Sequence, residues 1–143
     1  MAAASEAAGL LLAAPRPPTL VVLAGRGGHR CGLGTHSTAG DGRVVCWSPS
    51  TSLRTAVDAE VVGSPVPPAL ARRWGSSDPD TVWPWWCATE CLAKLTDTPV
   101  LLLARQGPVR ASPVETPAGR MTWCIDVVDD LVVVRALLSP TTS

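Results

Sequence analysis

Met121-Thr-Trp-Cys-Ile-Asp-Val-Val-Asp-Asp-Leu-Val-Val-Val-Arg-Ala-Leu-Leu138 is the stretch on which the fold turns. In its first arm Met121, Trp123, Ile125 and Val127 share one face at the two-residue period of a strand. In its second arm Val132 and Val134 oppose Leu131 and Val133, so both faces are apolar. A strand of that kind belongs in the middle of a sheet, covered on both sides. Asp129-Asp130 supplies the turn between the arms, because Asp tolerates the positive backbone angles of a two-residue hairpin loop.

Upstream, Val82 to Leu95 reads as the main helix, capped by Asp80 or Thr81, with Pro84 in its first turn. At about 100° per residue, Trp85, Ala88, Leu92 and Leu95 form one stripe with Cys91 at its edge, and that stripe faces the core. Trp83 and Trp86 fall instead on the side of Glu90 and Lys94, which are spaced as a solvated ion pair. Two indoles on a polar face suggest an anchor for a protein partner, since Trp is enriched where interfaces carry their energy; the alternatives are that the preceding loop folds over them, or that the helix starts after Pro84 and the phases shift. Trp83 and Trp86 are therefore the candidate partner-binding residues, and a homodimer through the same face is a further expectation.

The remaining elements are shorter. Thr19–Ala24 and Arg43–Trp47 read as strands, and Leu53–Val62 fits strand or helix with its last residues favouring strand. Pro67-Pro68 opens a short helix, Ala69–Trp74, with Gly75 just past its end. Val100–Arg105 (VLLLAR) reads as a doubly buried strand, and Val109–Ala111 as another possible strand. Residues 25–42 hold seven Gly without apolar periodicity and read as a long loop. Residues 1–18 are Ala- and Pro-rich and read as a flexible tail. The expected class is α+β: a mostly antiparallel sheet, one main helix over about 82–95 packed on it, and a C-terminal hairpin. The expected organisation is a tail and loop over 1–42, followed by one small domain over 43–140.

Composition excludes more than it identifies. The 143 residues include no Phe, no Tyr and no Asn, with one Ile, one Lys and one Gln. Ala, Val, Leu, Arg, Gly, Pro and Trp take their place, the signature of a GC-rich coding sequence. Twelve basic and twelve acidic side chains give zero formal charge, which leaves little long-range attraction for nucleic acid or anionic membrane. No apolar stretch approaches the roughly 20 residues of a membrane-spanning helix. The N-terminus lacks a basic region, and its apolar run from Gly9 to Ala14 is short. A reduced, cytoplasmic protein is expected.

Several constellations invite chemistry. The Gly-rich run Gly25–Thr35 follows a β-prone segment but lacks the Gly-Lys-Ser/Thr of a phosphate loop, and Arg30 stands where a dinucleotide motif needs its third Gly. His29, Cys31, His36 and Cys46 have the chemistry of zinc ligands, yet their intervals match no zinc module. Five Cys read as small buried thiols. Cys87 near a helix start, with His29 or His36 as base, is formally a nucleophile with a lowered pKa. Asp78/Asp80 and Asp129/Asp130 read as a cap and a turn rather than as catalytic pairs. No cofactor and no metal are assigned.

The closing segment, Gly119 to Pro140, is similar to the final hairpin of SnoaL-like cone-shaped α+β domains. It also resembles the terminal strands of RelE-type ribonuclease toxins, without the basic cluster such a toxin implies. Neither resemblance assigns a residue a role. The sequence thus favours a small soluble binding module with no identifiable catalysis. The alternatives are a GC-rich frame without selected function, or a small ligand-pocket or Cys-dependent enzyme on a cone-like fold.

Overall fold

A computed structural model describes Leu12, Pro17, residues 19–24 and residues 34–141 of the chain. Most of the expected tail, and residues 25–33 with His29 and Cys31, lie outside the described residues. Within them the fold is α+β, with seven strands in two antiparallel sheets and three helices. In chain order they are β1 Leu20–Leu23, β2 Thr35–Thr38, β3 Val44–Trp47, β4 Arg54–Val61, α1 Pro68–Trp74, α2 Pro79–Thr96, α3 Val100–Gln106, β5 Val114–Thr116, β6 Gly119–Val128 and β7 Leu131–Ser139.

The hairpin forms where the sequence placed it. Val128 pairs with Leu131, and Asp129 and Asp130 between them have φ of 51° and 57°. A two-residue loop with both central residues at positive φ matches the right-handed twist of the flanking strands. β7 is central in the order β4-β7-β6-β5, and all nine of its residues are buried. On one side it meets α2; on the other it meets the small sheet, ordered β1-β3-β2. That double cover is why Val and Leu occupy both of its faces.

Two cores result, one on each face of the large sheet. Between the sheets, Leu20, Val45 and Trp47 pack against Val57, Val133 and Leu137. Under α2, Cys87, Ala88, Cys91, Leu92 and Leu95 pack against Ala56, Met121, Val134, Ala136 and Leu138. The expected helical stripe therefore does face the core, though Trp85 at its upper end is only half-buried. A third, smaller cluster joins the three helices through Trp74, Val82 and Ala104.

Several sequence expectations are corrected. VLLLAR is not a strand but the helix α3, bounded by Pro99 and Gly107. Leu101 and Leu102 are 67% and 50% exposed while Ala104 is buried, a helical rather than a two-sided pattern. Short apolar runs do not distinguish the two by periodicity. The loop expected over 25–42 contains β2, whose Ser37 turns inward to Asp58. No strand forms at 109–111: Val109 is buried and its N–H donates to the Thr89 hydroxyl, and pairing resumes only at β5. The main helix starts at Pro79 rather than Val82, which makes Pro84 an interior residue. Leu12, expected in a free tail, is buried against the core between the sheets.

Candidate functional site

A cleft of about 450 Å³ opens where the three helices meet β4. Its position follows from how each helix is held. α1 starts with Pro at its first position and stops at Gly75, whose φ of 74° is the left-handed geometry of a helix end. Its last residue, Trp74, is buried, with its ring 5.9 Å from that of Trp86 on α2. The Trp74 indole N–H donates to the Ala104 carbonyl over 3.0 Å, which ties α1 to α3. α2 is capped by Asp78, whose carboxylate accepts from the Asp80 backbone N–H at 3.2 Å and the Thr81 hydroxyl at 2.8 Å. The capping residue is thus Asp78, two or three residues ahead of the Asp80 or Thr81 expected from the apolar pattern.

Trp83 and Trp86 both line this cleft, but not as an open wet face. Trp83 is only 7% exposed, and its indole N–H donates to the Ser64 carbonyl over 2.7 Å. Trp86 is half-buried against Trp74. The segment from Ser64 through α1 folds back across the side of α2 that carries them, because two indoles left in water there would forfeit their burial. Trp85 carries the Arg110 guanidinium 4.6 Å from its ring centre.

The rest of the lining comes from segments far apart in sequence. Leu70 on α1 and Leu101 and Ala104 on α3 complete an apolar wall. Glu60 on β4, Arg73 on α1 and Arg105 on α3 contribute charge. Neither arginine has a carboxylate within ion-pair distance among the described residues. Glu60, Arg73, Arg105 and Leu101 escaped the sequence reading. They follow no common spacing, and Leu101 sat in a run read as a strand.

Behind Glu60 lies a buried polar group. Asp58 accepts from the Ser37 hydroxyl at 2.7 Å and sits 3.5 Å from Lys94 Nζ. Lys94 also donates to the Val57 carbonyl over 2.7 Å, serving the edge of β4 that faces away from β7. The chain's single lysine therefore reaches the sheet edge, not Glu90 as expected from their spacing. Burial pushes the Asp58 carboxyl above the usual carboxylate range, against the opposing pull of Lys94 and Ser37. Glu60 is raised first by its own burial and then by the Asp58 charge. Glu90 is raised by the same two causes in the same order.

The nucleophile expectation for Cys87 is overturned. Cys87 has no exposed surface and lies well inside a helix that begins at Pro79. Burial, followed by the Asp58 charge, pushes its thiol well above its ordinary value, opposite to the lowering expected at a helix start. Burial likewise raises Cys91 and Cys124. Cys87, Cys91 and Cys124 are free, whereas Cys46 is disulfide-bonded, which corrects the expectation of five reduced thiols. His36 is exposed and lies opposite Cys46 across the β2–β3 pair. A disulfide sulfur offers no thiolate to a metal, and the other two proposed zinc ligands lie outside the described residues. No group of three or more His, Cys, Asp or Glu among the described residues is placed to hold an ion.

No helix of the described residues is long and apolar enough to cross a membrane. No protein-family model matches the chain, and neither does any curated protein or solved structure.

Proposed function

We propose that this protein is a small binding module without catalytic chemistry, and that its binding surface is the cleft around Trp83 and Trp86. One observation carries this reading: Leu101 is 67% exposed at the rim of a cleft whose walls already include two indoles. An apolar rim left in water beside aromatic walls gains free energy when an apolar group of a partner covers it. The cleft volume of about 450 Å³ lies within the ~300–1,000 Å³ range of small-molecule sites. The competing Cys-dependent enzyme would need an accessible thiolate, and the Cys87 thiol is enclosed.

Nile red, a neutral apolar dye, tests this reading. Its emission is expected to rise to saturation at one site on the folded protein. Ala69→Trp, which fills the cleft from an exposed position on α1, is expected to abolish that site while leaving thermal unfolding unchanged. Dye binding that does not saturate, or that survives Ala69→Trp, would sink the proposal.

A further inference from the structure

The charge around the cleft narrows what it takes. Its walls are apolar where Leu70, Trp83, Trp86 and Leu101 line it, and two arginines stand among them. Arg73 and Arg105 come from different helices, α1 and α3, and are exposed and without a carboxylate partner among the described residues. Arg105 also lies in the last turn of its helix, and Arg73 in the last turn of its own. The lining includes one acid, Glu60, so it carries a net positive charge even with that group ionised. We infer that the cleft binds a single-chain amphiphile with a carboxylate head, its alkyl chain against Trp83, Trp86 and Leu101 and its carboxylate between Arg73 and Arg105. This rests on the cleft being the binding surface.

The physical reasons are separate for the two ends of the ligand. An alkyl chain gains by leaving water along the indoles and the exposed Leu101 side chain. A carboxylate gains from guanidinium donors, whose planar fork matches its two oxygens. Burial and the neighbouring Asp58 charge raise the Glu60 carboxyl above its ordinary value, and even when ionised it is outnumbered by the two guanidinium groups of the lining. A quaternary ammonium would meet the indoles favourably but would face both arginines.

Decanoate and decyltrimethylammonium, each below its micelle concentration, and decanol, below its solubility limit, are competed against Nile red on the full chain. Decanoate is expected to displace the dye at a concentration about tenfold lower than either of the others, a margin equal to about 1.4 kcal/mol. That margin should shrink in high salt and vanish in the Arg73→Ala/Arg105→Ala double variant, with decanol displacement unchanged. Equal displacement by all three would overturn the carboxylate assignment while leaving the cleft as a binding surface. Preferential displacement by the ammonium would overturn it in favour of a cation. Absence of saturable dye binding would remove the cleft reading itself.

Discussion

The Arg135 guanidinium, fully buried between the two sheets, lies 2.8 Å from the Asp126 carboxylate. The two side chains project from the same face of neighbouring strands, β7 and β6. The same guanidinium sits 5.5 Å from the centre of the Trp47 ring on the opposing sheet. The Trp47 indole N–H makes no hydrogen bond among the described residues, so its ring meets the cation while its N–H goes unserved. A charge so placed is tolerated because a carboxylate, itself largely buried, stands beside it.

Removing that carboxylate should therefore be costly. Asp126→Ala is expected to destabilise the protein by about 3 kcal/mol in urea unfolding, because a buried guanidinium loses the carboxylate that stands 2.8 Å from it. The double variant Asp126→Leu/Arg135→Met should recover most of the loss, since apolar residues of similar volume avoid desolvating any charge. A single variant costing under about 0.5 kcal/mol, as an exposed pair would, would show that the guanidinium is not desolvated.

Stability should fall as pH rises through the mildly acidic range. Asp58, Glu60 and Glu90 all have carboxyl values raised in the folded state, chiefly by burial. Just above the ordinary carboxylate value the folded chain holds more protons than the unfolded chain, so raising the pH favours unfolding. Asp41, lowered by its hydrogen bond from Arg43, acts in the opposite sense, but below its ordinary value. The urea midpoint should thus decline as the pH rises through the range just above the ordinary carboxylate value of about 4.5, and Glu60→Gln should flatten that decline. A midpoint that climbs steadily across this window in both proteins would contradict the assignment of these buried acids.

The three free thiols among the described residues should label in a fixed order. Cys124 is half-buried on β6 and the nearby Arg135 partly offsets the effect of its burial. Cys87 and Cys91 have no exposed surface under α2. With iodoacetamide under native conditions, mass spectrometry should find Cys124 alkylated first, and Cys87 and Cys91 only at the rate of opening of the chain. Fast labelling of Cys87 would restore the nucleophile that its burial argues against.

What the sequence decided by itself is local and periodic. The alternation of residues 121–138, with its Asp-Asp turn, is enough to specify a hairpin and to make β7 central. The spacing of Ala88, Cys91, Leu92 and Leu95 is enough to aim α2 at a sheet. Tertiary structure decided what local pattern leaves degenerate. VLLLAR suits a strand or a helix equally, and it becomes α3 where Leu101 and Leu102 face outward and Ala104 packs with Trp74 and Val82. Trp83 and Trp86 were legible as a pair on one side of a helix. That Ser64 and α1 fold back over them depends on contacts beyond local spacing, Ser64 with Trp83 and Trp74 with Trp86. The cleft belongs to the same class: Glu60, Arg73, Trp86 and Arg105 share no spacing, and only the packing of three helices against β4 makes them neighbours. Backbone periodicity acts within a few residues, whereas burial is a property of the assembled chain.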